Sequence, residues 1–432
     1  MTLKLNDNAK INKVLHQDKP IHQWYRFVLS FPPHLVRYYL EKFSITKDHV
    51  VLDPFCGTGT TIVECKKLGI DSIGVEANPM LHFASKIKCD WSPDPELLFS
   101  IAKEISRETV GKLEEQNISD FPEFFNSYDT KIILKDLPPE KKRLVLKGSI
   151  SSLPLHKALT LLYILDMHNP SYINHLKLAF ARAVVEESSN LYFGPEVGVK
   201  KPKKDAPVVS SWLDCVNTIA TDIELYKENK PAESDVILGD SRSISHYVKP
   251  HSIDFVFTSP PYPNEKDYTR ITRLESVLLG FINTMDDLRK SKKGMLRSNT
   301  RNVYKNDDDD LYIRENKEII QIADNIEKRR IELGKTSGFE RQYSRVTKLY
   351  FGGMTRHLRD LRKILRPGAI LAYVVGDQSS YLRIKIQTGK LLSQIAELLG
   401  YDIIDIELFR TRKATAIREN LNEEVVLLKW KG

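Results

Sequence analysis

Residues 50 to 61 read Val-Val-Leu-Asp-Pro-Phe-Cys-Gly-Thr-Gly-Thr-Thr. Val50 to Leu52 form a short apolar run that reads as a buried strand, and Asp53-Pro54 ends it. Gly57 and Gly59 supply a tight turn, after which Ile62, Val63, Cys65 and Leu68 recur at helical spacing over residues 60 to 68. Strand, glycine turn and helix place a ligand at the carboxyl end of a parallel sheet, where bare backbone lets it approach closely. The next strand, Ile73 to Val75, ends in Glu76, where such sheets hold an acid for ribose hydroxyls. Asn78-Pro79 follows, with Asn78 placed to cap a helix beginning near Met80. A Gly-x-Gly after a strand is often only a turn, so the reading rests on a second string.

That string is Ile-Asp-Phe-Val-Phe-Thr-Ser-Pro-Pro-Tyr, residues 253 to 262. An apolar strand runs into Ser259-Pro260-Pro261-Tyr262. Two successive prolines fix φ and remove two amide donors, so the strand end is rigid and presents bare carbonyls. Such acceptors suit an amine.

Asp-Pro-Phe-x-Gly-x-Gly-Thr-Thr and Ser-Pro-Pro-Tyr together resemble the DNA amino-methyltransferases, which move a methyl group from S-adenosyl-L-methionine to an exocyclic nitrogen of a base. The resemblance implies an α/β fold, a Rossmann-like doubly wound methyltransferase sheet, here with a large, mostly helical insertion. It implies cofactor contacts from Asp53, Pro54, Phe55, Cys56, Gly57, Gly59, Thr60 and Thr61, from Glu76, Ala77 and Asn78, and from Asp240 and Ser241 after a third strand. A segment just upstream of the loop covers the methionine end in this family, and Phe31 to Leu35 is its counterpart, led by Phe31. Ser259, Pro260, Pro261 and Tyr262 become the catalytic tetrapeptide. Ser259 and the Pro260 carbonyl would bind the amine hydrogens and free a lone pair otherwise conjugated with the ring. Tyr262 would stack on the base and hold it in line with the methyl group. Transfer to an amine needs no covalent intermediate, so Cys56 reads as a small buried thiol. A base inside duplex DNA is unreachable, so the enzyme must extrude it, at roughly a few kcal/mol.

Composition agrees. The chain has 432 residues, 41% hydrophobic and 28% charged, with a formal charge of +8. No apolar run approaches the ~20 residues of a membrane span. The first residues, Met-Thr-Leu-Lys-Leu-Asn-Asp-Asn, lack a signal core. The four cysteines have neither zinc spacing nor a disulfide pattern. The expectation is a cytoplasmic enzyme without a metal or a membrane partner. The modest positive charge is compatible with a phosphate backbone.

Residues 1–90 are read as the N-terminal segment and cofactor half, in which Leu35 to Phe43 form an amphipathic helix. Residues 91–232 are the helical insertion, with helices over Ile101–Leu113, Leu153–Met167 and Leu176–Val185, too long a stretch for a loop. Near its end lie Tyr192, Phe193 and the cluster Lys200, Lys201, Lys203, Lys204, residue types that suit DNA as readily as plain solvent. Residues 233–432 form the catalytic half. Helices are expected over Arg356–Leu365 and Leu391–Leu399, and strands over Ala369–Val375, Tyr401–Phe409 and Glu423–Trp430. Asn264, Asp267, Tyr268, Arg270 and Arg273 crowd the mouth after Tyr262 and are assigned, with Lys200 and Lys201, to substrate. A basic interruption at about 286–347 is a second candidate for DNA contact through Arg297, Arg301, Lys305 and the run Lys328, Arg329, Arg330, and its run Asp307 to Asp310 reads as a solvated, mobile turn.

Ser-Pro-Pro-Tyr is commonest among cytosine-N4 enzymes, so cytosine N4 is the expected target, in a restriction–modification or phage-defence setting where any cognate endonuclease acts as a separate chain. Adenine N6 is the alternative. A tRNA guanine-N2 enzyme, which shares this motif order but usually carries Asp-Pro-Pro-Tyr, and a catalytically dead DNA-binding protein complete the alternatives. The cofactor loop precedes the tetrapeptide here, the reverse of most DNA methyltransferases with Ser-Pro-Pro-Tyr, which leaves the target-recognition region open.

Overall fold

The structure is a computed structural model and describes residues 14–25, 29–121, 133–194, 196–227, 232–264, 266–414 and 419–432. Its strands are Val50–Asp53 (β1), Asp71–Glu76 (β2), Leu191–Phe193 (β3), Val197–Val199 (β4), Ser234–Leu238 (β5), Ile253–Thr258 (β6), Leu365–Gly376 (β7), Tyr401–Ala414 (β8) and Glu419–Trp430 (β9). Seven of them make one sheet in the order β5-β2-β1-β6-β7-β9-β8. β1 pairs in parallel with β2 and β6, β2 with β5, and β6 with β7. β9 runs antiparallel between β7 and β8. This is the Rossmann-like methyltransferase sheet that the motifs implied. Chain order reverses between β1 and β6, so the crevice at their carboxyl ends is the ligand position of an open α/β sheet.

The periodic segments become the elements expected of them. Pro33–Lys42 and Thr60–Lys67 are helices, as is Pro79–Lys88, capped by Asn78, whose Oδ1 accepts from the Met80 amide at 3.0 Å. The insertion holds Pro95–Glu114, Ser152–His168 and Ile173–Ala183, followed by a π-helical turn at Val184–Ser188. It also holds the β3–β4 hairpin and a helix over Val208–Tyr226, neither of which the sequence reading contained. Trp212, Val216, Ile219 and Ile223 of that helix are buried in one apolar core with Met80, Ile62 and Trp24. Asp222 on the same helix accepts from the Ile21 amide at 2.8 Å and Trp24 Nε1 at 2.9 Å, fastening the N-terminal segment. The other face of the sheet is covered by Tyr343–Leu361 and Thr388–Leu398, with Val256, Leu371, Met354 and Leu392 buried between.

The acidic run does not behave as a solvated turn. Asp309 is 2% exposed and accepts from Arg242 at 2.5 Å, with Arg356 at 3.4 Å. Asp307 accepts from Arg297 at 2.9 Å. Arginines on three neighbouring elements neutralise these carboxylates and draw them inward. Arg297 is therefore buried and occupied, and is not a DNA-facing cation. The helix under the run is longer than its expected start at Arg356, because Gly352-Gly353, normally a break, here gives room. A Cβ on Gly352 would stand 1.9 Å from the Asp309 carbonyl oxygen. Gly352→Ala should thus cost about 1–3 kcal/mol through overpacking, read as a lower urea midpoint. An unchanged midpoint would contradict this close approach.

Candidate active site

The crevice at the sheet switch point opens into a cavity of about 630 Å³, within the size range of small-molecule sites. One wall is the glycine turn, with Phe55, Cys56, Gly57 and Thr60 on the lining. Gly57 and Gly59 have φ of 53° and 82°, the left-handed region open to glycine. A Cβ on Gly59 would also meet Ser85 Cβ at 2.9 Å, while one on Gly57 would meet nothing within 4 Å.

Asp53 fixes this turn from beneath. It is fully buried; its Oδ1 accepts from Thr258 Oγ1 at 2.6 Å and the Phe55 amide at 3.1 Å, and its Oδ2 accepts from Thr61 Oγ1 at 2.7 Å. The carboxylate therefore ties the end of β1 to the first turn of the following helix and to the last residue before Ser259. Burial pushes its pKa up to about 6, against the pull of those three hydrogen bonds. Asp53, Pro54, Gly59 and Thr61 do not themselves line the cavity; they shape the turn that does.

Glu76, at the end of β2, lines the cavity and braces the turn: Oε2 accepts from the Gly57 amide at 2.8 Å and Oε1 from the Asn78 amide at 2.7 Å. Each oxygen keeps acceptor capacity. Ala77 and Asn78 join the lining, as do Asp240 and Ser241 after β5. Asp240 is gripped by Arg242, whose Nε and terminal nitrogen stand 2.9 and 2.7 Å from its two oxygens. The Ser241 hydroxyl donates to the Pro54 carbonyl. Behind it His357 is held neutral, its pKa lowered by burial to about 4. Its Nδ1 donates to the Ser241 carbonyl at 2.8 Å while Nε2 accepts from the Tyr373 hydroxyl at 2.6 Å. Phe31 reaches the cavity from the N-terminal side, edge-on to Phe257 with centroids 5.3 Å apart.

Ser259, Pro260, Pro261 and Tyr262 form the opposite wall. Burial, then the Glu423 carboxylate, raise the Tyr262 pKa and keep its phenol protonated, with a hydrogen bond to Ser259 opposing them. The ring lies against the end of β7, where a Cβ on Gly376 would stand 3.0 Å from Tyr262 Cε2. Burial raises the Cys56 thiol well above its usual range, which makes it a poor nucleophile.

Of the substrate candidates, Asn264 and Tyr268 line this cavity. Asp267 is buried, pairs with Lys292 at 2.8 Å and caps the turn after it through Thr269. Arg273 donates to the Thr269 and Leu144 carbonyls at 3.0 and 3.2 Å, tethering the insertion. Arg270 faces a neighbouring recess. Lys200 and Lys201 are exposed beyond β4, away from the cavity.

Several lining residues were not singled out. Arg410 and Arg412 of β8 meet Glu423 of β9, with Arg412 Nε at 3.1 Å from the Glu423 carboxylate. Lys266 also lines the cavity, near enough to Arg412 and Glu423 to feel both charges. The Ser298 hydroxyl and the Asn302 side-chain oxygen line the cavity, buried and without a hydrogen-bond partner. Only the alternation of charge along β8 hinted at any of these.

Residues 5–86 match the family model described as DNA methylase. The type II methyltransferase M.BsoBI of Geobacillus stearothermophilus is 26% identical over 442 residues, covering 94% of this chain and 83% of that protein. The type II methyltransferase M.AvaI of Anabaena variabilis is 24% identical over 432 residues, covering 94% and 84%. The type II methyltransferase M.MjaII of Methanocaldococcus jannaschii is 36% identical over 70 residues, 16% of this chain and 13% of that protein. These likenesses support a DNA amino-methyltransferase and bear out the resemblance carried by the two motifs. Among the described residues no helix is long and apolar enough to cross a membrane.

Asp53 gives the site a pH signature. A native pKa of about 6 against an ordinary 3.8 means that the folded state holds the proton more tightly. That stability is present below about pH 4 and is lost as pH rises through about 6. Compared with Asp53→Asn, the wild type should lose about 3 kcal/mol between those limits and then stay level, measured by urea unfolding. A pH-independent difference would contradict the buried carboxylate.

Proposed function

We propose that this chain transfers a methyl group from S-adenosylmethionine to the exocyclic amine of an extruded DNA base, cytosine N4, in a restriction–modification setting in the cytoplasm. The observation that carries the proposal is the single cavity shared by the glycine turn and the Ser259–Tyr262 wall. The residues fit the cofactor. Gly57 offers a backbone surface without a side chain, Glu76 offers acceptors for ribose hydroxyls, and Asp240 offers a carboxylate for an adenine edge. When bound, S-adenosylmethionine supplies an electrophilic methyl group on a sulfonium, a leaving group good enough that no strong base is needed.

The chain's own residues then prepare the nucleophile. Ser259 Oγ and the Pro260 carbonyl accept hydrogen bonds from the amine, so the nitrogen lone pair leaves conjugation with the ring, and the proton that the methylated nitrogen sheds passes to solvent. Tyr262, pressed between Gly376 and the cavity, presents its face to the base and fixes its distance from the cofactor wall. Asp53, through Thr258, keeps the tetrapeptide in register with the turn.

The preference for cytosine rests on the Thr258-Ser-Pro-Pro-Tyr262 form and on the donors Arg410 and Arg412, which line the cavity with it. Cytosine presents a carbonyl oxygen to such donors and adenine presents none. We assign DNA engagement to the helical insertion and the exposed lysines after β4, and expect any cognate endonuclease to be a separate protein.

Nucleoside mass spectrometry of duplex DNA treated with the purified protein and S-adenosylmethionine should show N4-methylcytosine. N6-methyladenine alone would overturn the base assignment, and methylation confined to RNA would overturn the DNA reading. Tyr262→Ala should reduce transfer roughly 10²-fold or more while leaving cofactor affinity nearly intact. A folded variant unable to bind cofactor would contradict the division of roles.

A further inference from the structure

Beside the cavity lies a second recess of about 20 Å³, room for about one water-sized atom. Its walls come from distant parts of the chain. Phe193, Gly194, Glu196 and Val197 of the β3–β4 hairpin form one side, and Lys266, Asp267 and Arg270 after the tetrapeptide form the other. Arg301 closes it. Leu29, Glu196 and Lys266 line both hollows, so the recess adjoins the cavity.

Its charge is unbalanced. Asp267 is already neutralised by Lys292. Among the described residues, Lys266, Arg270 and Arg301 form no ion pair, and Arg270 Nε is buried without a hydrogen-bond partner. Arg301 rests its guanidinium 5.4 Å from the Phe339 ring centroid. The remaining carboxylate, Glu196, is exposed on the hairpin. Elsewhere the buried cations are matched, Arg242 by Asp240 and Asp309, and Arg297 by Asp307. With Glu196 the one carboxylate on the lining not already paired, the three cations leave the recess net positive, a charge that an entering anion would offset.

We propose that the recess seats a non-bridging oxygen of a DNA backbone phosphate beside the extruded nucleotide. This rests on the reading of the cavity as a site for a DNA base. A phosphodiester is the anion that a base in the cavity necessarily brings to its mouth, and it presents single oxygens on a bulkier group, which suits a recess of this size. Arginine is suited to phosphate, with several donors in a fixed fork. With the phosphate pinned there, the strand is held while its base turns out, and the hairpin couples the insertion to that event.

The test uses the full-length protein and duplexes carrying its mapped methylation site, with a neutral methylphosphonate placed at one phosphate at a time around the target nucleotide. The wild type should lose about tenfold in affinity at one flanking position. The double variant Arg270→Gln/Arg301→Gln should bind the unmodified duplex about tenfold more weakly, with a log–log salt slope smaller by about 0.9 per lost contact. It should be indifferent to the methylphosphonate at that position. Equal losses in variant and wild type there, or an unchanged slope, would overturn the proposal. If the double variant does not fold, Lys266→Gln is subjected to the same duplex series and the same criteria. A wild type that methylates duplex DNA yet tolerates every methylphosphonate sinks this inference alone. A wild type that neither binds nor methylates DNA sinks the underlying reading.

Discussion

A single buried carboxylate holds the two halves of the site together. Asp53 lies at the end of β1, the strand where the sheet changes direction, and its oxygens are shared between Thr61 on the helix that follows and Thr258 at the end of β6. Burying a carboxylate is costly unless hydrogen bonds replace water, and the two hydroxyls and the Phe55 amide offset part of that cost. The arrangement fixes two chain segments whose bonded residues, Asp53 and Thr258, are 205 positions apart in sequence. Removing the carboxylate would leave the buried Thr258 hydroxyl without its acceptor, at about 1–3 kcal/mol, while Thr61 Oγ1 would keep the Phe257 carbonyl at 3.3 Å. Ser259 follows Thr258 directly, so the tetrapeptide inherits its position from this bond.

The same logic extends outward in rings. Glu76 braces the turn through the Gly57 amide, and Arg242 braces Asp240 while reaching across to Asp309 in the second insertion. Glu76 and Asp240, the two carboxylates at the sheet end that face the cavity, are each oriented by polar groups behind them. A site so fixed before ligand arrives loses little to reorganisation on binding. The insertions are therefore part of the site's frame: one contributes the hairpin at the mouth, the other Ser298 and Asn302 on the wall.

Sequence reading recovered what periodicity and turn chemistry encode. The run Val50 to Thr61, the Asn78 cap and the tetrapeptide strand all carry their signals within a few residues, and the sheet order follows once they are placed. It was weakest where partners are distant. The Asp307–Asp310 run looked solvated because the arginines that bury it lie on other elements, and the helix over Tyr343–Leu361 was expected only from Arg356, its Gly352 answering to an Asp309 backbone that is distant in sequence. The helix over Val208–Tyr226 was legible in its apolar spacing (Val208, Trp212, Val216, Ile219, Ile223) but was obscured by β-branched residues and a preceding lysine cluster. Arg410 and Arg412 reach the cavity because β8 extends past the sheet edge expected at Phe409, a length set by pairing with β9.

The central claim is that the glycine turn and the tetrapeptide serve one cofactor and one base in one cavity. Ultraviolet cross-linking with methyl-labelled S-adenosylmethionine, followed by peptide mapping, tests it most directly. The account predicts label on the cavity walls, in the peptides holding Phe31, Phe55 to Thr60 or Ser259 to Tyr262, and its loss on competition with unlabelled cofactor. Competable label confined to peptides outside the cavity would contradict it.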